Sequence, residues 1–335
     1  MAAGFKSATV RAADVPATQT DFPSYVDLAR IGITTLAEAE SVRVYADSAK
    51  TTEWAREIVS LTEMHVKVPS LTSTVVMYVD WDGVRADYAV SATYGRNAVW
   101  RSEYAAVYHF ATGLTDSTSN AVFATNNGST NASGGKIGNH QSFNGSQSFS
   151  IPLNPSGTSI SITGWIELSS TSDVAVIFEQ SANYNSNPGA FITYLNGNGT
   201  QDQSSFIQDY SMARFNNVAA NSYNHHAYVY DSTRGGTLEN LPYINGVLQS
   251  YSSPSTHDNT GNLLNSTLHI FSRNNTQFYT TGYIADLRIY KGTLSANWIT
   301  TEHNNQNAEA TFWGTWADAG GSPAQTARRG VVMMM

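Results

Sequence analysis

Residues 282–299 read GYIADLRIYKGTLSANWI. Ala285, Leu287 and Ile289 alternate with Asp286 and Arg288, the period of a strand with one apolar face. Gly292 interrupts the run. Ser295, followed by Ala296, Trp298, Ile299 and Glu302, then has the pattern of a capped helix. Upstream, short apolar runs recur: AAVYHF (105–110), QSFSIPL (147–153), SISITGWIEL (159–168), VAVIFEQ (174–180), AFITYL (190–195), SSFIQD (204–209), HHAYVYD (225–231), GVLQSY (246–251) and TLHIFS (267–272). Between them stand Asn127-Gly128, Asn144-Gly145, Asn196-Gly197, Asn198-Gly199 and Asn245-Gly246. Both residues of an Asn-Gly pair tolerate positive φ, so the pair marks a hairpin turn. Many short strands at this spacing predict a sandwich or jelly roll.

Ahead of this region the texture differs. Residues 1–20 are small and polar and read as an extended arm. SYVDL (24–28), VRVY (42–45), REIVSL (56–61), MHVKV (64–68) and TVVMYVDW (74–81) are strand-like, with one turn of helix over Leu36 to Glu40. Residues 87–100 join the two regions, and 314–335, closing on VVMMM, read as a flexible tail. The expected organisation is an arm at 1–20, a small β-sandwich at 21–104, a jelly roll at 105–313 and a tail at 314–335.

Composition narrows the function. Charged residues make up 13% of the 335, against about 25% in an ordinary soluble protein. The net charge is −8, and from 106 to 310 the only lysines are Lys136 and Lys291. This excludes the clustered Lys and Arg that nucleic acid or an anionic membrane requires. There is no cysteine, hence no disulfide or thiolate chemistry. No apolar run approaches the roughly 20 residues of a membrane span. The opening MAAGFKSATVRAADVP does not read as an export signal; the expectation is a trimmed signal or release by lysis.

Several separated motifs are shared with a known family: AAVYHF (105–110), TDSTSN (115–120), GGKIGNHQSFNGSQSFSIP (134–152), SITGWIEL (161–168), YNHHAYVYD (223–231), YINGVLQ (243–249) and GYIADLRIYKGTLSANWI (282–299). In this order they resemble the LamG-like, concanavalin A-like lectin/glucanase superfamily. Tyr223 stands where that family has Trp, and His226 where an aliphatic is common. Residues 20–100 resemble a small β-domain of unknown function that precedes such jelly rolls in phage and bacterial surface proteins. The expected fold class is therefore all-β, a β-sandwich followed by a concanavalin A-like jelly roll.

The resemblance implies a structural calcium on the last strand, held by Asp286 with carbonyls of the Phe143-Asn144-Gly145 turn; Asp116 is a further candidate. The competing reading of Asp286 and Arg288 is an exposed pair. Tyr184, Tyr194, Tyr210, Tyr251 and Phe278 lie near expected loop ends and are the glycan-contact candidates, while Trp165 and Tyr290 are assigned to the core. Glycoside hydrolysis needs two carboxylates flanking one cleft. Glu167 and Glu179 each stand alone on their strands, so the expectation is no enzyme activity. His225 and His226 are adjacent on a strand, so they face opposite sides and cannot share an ion.

The resulting expectation is a non-enzymatic virion structural protein, a phage tail or capsid-decoration component. Its partners would be other virion proteins and a host-surface glycan, with no nucleic acid and no membrane insertion. A homo-oligomer, dimer or trimer, suits a symmetric particle. The alternative is a secreted bacterial polysaccharide-binding or adhesin module, and behind it a glycoside hydrolase or lyase.

Overall fold

The computed structural model describes residues 3–153, 157–181, 189–206, 210–216, 218–234, 238–255, 262–263 and 265–320. The architecture is all-β, with a β-sandwich followed by a concanavalin A-like jelly roll. The small domain packs a three-stranded sheet (Gln19–Val26, Glu63–Leu71, Arg56–Ser60) against a five-stranded one. The latter runs in the order Ala317–Asp318, Gly4–Thr9, Val76–Trp81, Arg43–Tyr45, Glu53–Trp54. Phe22, Val26, Val44, Met64, Val66, Met77 and Val79 fill its interior. The short helix Leu36–Glu40 is where the sequence predicts it, fixed by a capping box between Thr35 and Glu38.

The extended-arm reading of 1–20 does not hold. Gly4–Thr9 pairs antiparallel with Val76–Trp81 along its whole length. Its apolar content is low because it lies beside the edge of the sheet, where pairing rather than alternation defines the strand. The tail reading fails for residues 314–320. Trp316 is buried, and Ala317–Asp318 pairs with the strand Gly4–Thr9. The closing VVMMM lies outside the described residues.

In the jelly roll, the first sheet runs Thr130–Ser133, Asn139–Asn144, Thr281–Lys291, Ser159–Leu168, Asn224–Asp231, Asn240–Ile244, Val247–Leu248, with Tyr104–Tyr108 paired to Thr281–Lys291. The second runs Ser252–Ser255, Tyr210–Asn216, Thr200–Phe206, Ala190–Asn196, Val174–Gln180, Leu268–Ile270, Ser148–Ile151, Thr125–Asn127. The run SSFIQD belongs to a strand that starts earlier, at Thr200, and residues 207–209 lie outside the described set. Phe149, Ile162, Ile166, Ile177, Phe178 and Leu287 meet between the sheets.

The alternation along 282–290 breaks once. The register with Ser159–Leu168 shifts between Thr163 and Trp165, and Asp286 has φ 48°. This is a β-bulge. Ile284, Leu287 and Ile289 face the jelly-roll core, while Ala285 sits on the outer face with Trp165 and Ile137. Trp165 is thus buried, though not in the core between the sheets.

That outer face is covered by the small domain and the helix Ala296–Asn307. Ser295 Oγ caps the helix by accepting from Trp298 N at 3.1 Å. Asn305 holds both Tyr25 N (2.6 Å) and Tyr25 O (3.0 Å), and Trp313 Nε1 donates to Ser24 Oγ at 3.1 Å. Trp298, Ile299, Phe312 and Trp313 join the small-domain core, as does Tyr290. Residues 296–318 therefore close the small domain rather than ending the jelly roll, a shift from the expected boundary at 313.

Candidate functional site

Two places concentrate polar chemistry: the junction between the domains and the outer face of the second jelly-roll sheet. At the junction, Glu63 and His65 stand two residues apart on one strand and so share a face. They meet His109, which follows the strand Tyr104–Tyr108, and Asp286 in the bulge. All four are buried. His109 Nδ1 lies 2.8 Å from Asp286 Oδ1 and 3.2 Å from Glu63 Oε1. His65 Nε2 is 3.0 Å from the same Glu63 oxygen, and the two imidazoles stack at 4.3 Å. Glu57 accepts from Trp100 Nε1 (2.7 Å) and Ser117 Oγ (2.6 Å).

Arg288 continues the network, 2.7 Å from Asp286 Oδ2 and 3.2 Å from Glu302 Oε2. Glu302 Oε1 lies 3.0 Å from His225 Nε2. Gln306 donates to Asp286 Oδ2 and accepts from Trp165 Nε1, both at 2.7 Å. Four buried carboxylates thus face Arg288 and the histidines. Burial opposes charge on His109, but Glu57, Asp286 and Glu63 outweigh it and raise its pKa well above the ordinary value. Burial and the charged His109 push His65 the other way. Burial also disfavours a charged Asp286, yet Arg288 and His109 hold its carboxyl far below the usual range. The Asp286–Arg288 pair is 1% exposed on each side, not the surface pair of the sequence reading.

Glu63, His65, His109 and Asp286 each offer one ligand atom within 4.8 Å of the others, an arrangement able to chelate a metal ion. It does not suit calcium, which prefers oxygen donors. Nor does Gly145 join it. Asn144 pairs with Thr281, five residues before Asp286, which puts the turn roughly 16 Å away along the strand. Asp116 is committed elsewhere, accepting from Val107 N, Thr118 N and Val122 N, each at 2.9 Å, and from Thr118 Oγ1 at 2.8 Å. It ties down the loop after its strand, with no oxygen left over for a calcium shared with Asp286. The imidazole planes are only 16° apart, so an ion bound to both would sit off both ring planes, away from the lone pairs. Arg288 Nη2, 3.4 Å from His65 Nδ1, makes that nitrogen an acceptor and leaves the proton on Nε2, facing Glu63. The cluster as built is a proton-held clasp.

On the second sheet, Val176, Ala190, Ile192 and Tyr194 form a group separated by the sheet from the jelly-roll core. Val176 pairs in register with Tyr194, and Val176 N donates to Phe278 O at 2.8 Å, so the two aromatics flank Val176. Tyr194 OH donates to Asp202 Oδ2 at 2.9 Å, and Arg214 grips Asp202 through Nε (2.7 Å) and Nη2 (2.8 Å). Arg273 Nε donates to Glu179 Oε2 at 2.9 Å and its guanidinium lies 4.8 Å from the Phe278 ring centre. Phe278 is 38% exposed. His269 stands in register with Glu179 and Ser150, and burial lowers its pKa.

Of the sequence candidates, Tyr194 and Phe278 come together here. Tyr251 packs against the jelly-roll core instead. Tyr184 and the Tyr210 side chain lie outside the described residues. Glu167 and Glu179 lie on the outward faces of different sheets, with the sandwich core between them. Stacked sheets are about 10 Å apart, so these two cannot flank one bond across a shared cleft. His225 and His226 do face opposite sides: His225 meets Glu302, while His226 Nδ1 lies 2.7 Å from Tyr228 OH inside the core. The sequence reading missed Glu57, Glu63, His65 and His109, although a His in each of the apolar runs MHVKV and VYHF was the available signal.

Residues 139–300 match the profile of the concanavalin A-like lectin/glucanases superfamily. The chain therefore carries a lectin/glucanase-type jelly-roll domain. No curated protein matches the chain in sequence. Among solved structures it is similar to domain 4 of an extracellular arabinanase from Geobacillus stearothermophilus in complex with arabinotriose, at 23% identity and TM-score 0.47, covering 59% of this chain and 97% of that one. It is also similar to the binding domain of botulinum neurotoxin serotype G, at 15% identity and TM-score 0.49, covering 63% of this chain and 54% of that one. The receptor-binding domain of botulinum neurotoxin D gives 15% identity and TM-score 0.48, covering 61% and 53%. The chain thus spans about half the length of the neurotoxin domains. No helix among the described residues is long and apolar enough to cross a membrane.

Proposed function

We propose that this protein is a non-catalytic glycan-binding module whose ligand lies across the outer face of the second jelly-roll sheet. The observation that carries the reading is the pair of solvent-reaching aromatics Phe278 and Tyr194 on either side of the buried Val176, beside Arg273 and Arg214, whose carboxylate partners Glu179 and Asp202 are buried. An aromatic face receives the apolar side of a sugar ring. The buried carboxylates fix the guanidinium donors in direction and balance their charge, which suits a neutral polysaccharide. Binding without bond cleavage is supported by the pairing of Glu179 with Arg273, which engages the one carboxylate of this row that the sequence reading named as a catalytic candidate.

The test is affinity electrophoresis through gels cast with neutral arabinan, xylan, galactan or β-glucan. Retardation by one of them is expected. Phe278→Ala and Tyr194→Ala should each weaken it at least about tenfold, the scale of a lost aromatic contact, while Tyr251→Ala leaves it unchanged. No retardation in any gel would overturn the glycan reading; retention in both aromatic variants would overturn the face. We place such a module outside the cell, either as a secreted bacterial adhesin or as an oligomeric component of a virion. Mass spectrometry of density-purified virions against culture supernatant separates the two.

A further inference from the structure

The cover over the outer face of the first jelly-roll sheet is incomplete. Trp165 is 1% exposed, but Glu167, two residues further along the same face, reaches solvent. Tyr283 stands in register with Glu167 on one neighbouring strand. On the other, Asn224 pairs with Ile166, which brings Tyr223, the residue before it, alongside Glu167. Both tyrosines are half-buried, so the carboxylate has a solvent-reaching phenol on either side. Burial and the Glu167 charge together raise the pKa of the Tyr223 hydroxyl, as such neighbours should.

The two tyrosines form one wall with His140. Tyr223 OH lies 3.0 Å from His140 Nδ1, and the His140 ring packs on Tyr283 with centres 4.6 Å apart. The Tyr223 and Tyr283 ring centres are 6.5 Å apart. Rings this close leave no gap for an ammonium group between them, so they offer a surface and not a cage. His140 is buried and braces both, so little side-chain freedom is lost when a ligand lies on them. Two charged groups border the wall. Glu167 has no hydrogen bond or ion pair among the described residues. Lys136 is exposed and also lacks an ion pair there; its Nζ lies 5.0 Å from the centre of the Trp165 ring, against whose cluster Tyr223 packs. Burial lowers the pKa of His140 and brings that of His303, which also meets Trp165, down to about 4, so both imidazoles are neutral.

We infer that this wall is a second ligand site, on the opposite side of the sandwich from Phe278, and that it takes a single neutral sugar unit, with the apolar side of the ring on Tyr283 and Tyr223 and hydroxyls that donate to Glu167 and accept from Lys136. Phenol faces receive the apolar side of a sugar ring. One charge of each sign supplies an acceptor and a donor and favours neither an anion nor a cation. The two ring centres, 6.5 Å apart, span one sugar ring, so the unit is taken singly, as a chain end or branch. The site uses none of the residues of the second-sheet face and stands whether or not that face binds glycan.

The test is saturation-transfer NMR with methyl α-L-arabinofuranoside, methyl β-D-xyloside, methyl β-D-galactoside, methyl β-D-glucoside and tetramethylammonium. It is run on the full chain carrying Phe278→Ala, so that the second-sheet face does not contribute. Saturable transfer to one of the glycosides is expected. Adding Tyr283→Ala should weaken it at least about tenfold, the scale of a lost aromatic contact. Adding Glu167→Ala should do the same through the lost charged acceptor. Should the Tyr283 variant fail to fold, Glu167→Ala carries the test, since Glu167 supports no hydrogen bond among the described residues. No saturable transfer in the Phe278→Ala protein, or equal transfer after both additions, overturns the site. Tetramethylammonium bound as tightly as the glycoside overturns the sugar assignment.

Discussion

Replacing Arg288 with methionine removes one charge from the centre of the junction and keeps most of the side-chain volume. Arg288 is 1% exposed, reaches Asp286 at 2.7 Å and Glu302 at 3.2 Å, and lies 5.2 Å from the Trp100 ring centre. Methionine retains the packing on Trp100, so the loss is electrostatic. Four buried carboxylates then face histidines alone. Breaking a buried pair from one side costs about 3–5 kcal/mol, because the partner stays buried without compensation. For domains of 150–250 residues each kcal/mol shifts the melting temperature by about 2–4 °C, so a fall of roughly 10 °C is expected. Adding Asp286→Asn should cost less in the Arg288→Met background than in the wild type, with a coupling of about 1–3 kcal/mol in a double-mutant cycle. Urea midpoints for the four proteins give these numbers directly. A methionine variant within about 1 kcal/mol of wild type, or strict additivity, would mean that the network is hydrated in solution, and the clasp reasoning would fail.

Burial holds His226 neutral, with its pKa down to about 3. Because its folded pKa is below the unfolded value of about 6.5, its contribution is fully present above that pH and declines as pH falls, by about 1.4 kcal/mol per unit, or roughly 3 kcal/mol by pH 4.5. His226→Gln should flatten the urea midpoint between pH 6.5 and 4.5. Gly138→Ala should destabilise by about 2 kcal/mol or more, since Gly138 has φ 55° and an added Cβ would lie 2.1 Å from Glu63 Oε2, forcing that carboxylate off the histidines. Ser295→Ala should cost about 1 kcal/mol through the lost cap on Trp298 N, and Ser295→Asp should restore it, both read by thermal melts.

Local chemistry made some elements legible and tertiary docking hid others. Leu36–Glu40 and Ala296–Asn307 carry their own caps, and Ser159–Leu168 its own alternation, so each was readable in place. Gly4–Thr9 was not, since GFKSAT has little apolar pattern and becomes a strand by pairing with residues some 70 positions away. Asp286 and Arg288 were correctly put on one face, but the bulge and the domain that covers it depend on the partner strand and the helix. Glu57, Glu63 and His65 looked like the polar half of ordinary alternation. Only the docking of the small domain onto His109 turns them inward. Tyr194 and Phe278 were reachable as aromatics near loop ends. Their common neighbour Val176 depends on strand order, which periodicity does not encode.

The placement of the two polar regions makes a separable prediction. The clasp lies on the outer face of the first jelly-roll sheet, where the helix and the small domain cover it. The aromatic row lies on the outer face of the second, with Phe149, Ile162, Ile177 and Phe178 packed between the two sheets. Close-packed cores transmit shape only when a side chain in them moves, and neither Arg288 nor Phe278 reaches into this one. Sites more than about 7–10 Å apart without shared partners add independently. Arg288→Met should therefore lower the melting temperature while keeping polysaccharide affinity within about twofold. Phe278→Ala should do the reverse, with lost retardation and an unchanged melt. Should Arg288→Met lose retardation at temperatures where it remains folded, the small domain would have to shape the ligand face through the sandwich, and the clasp and the binding face could no longer be treated as separate.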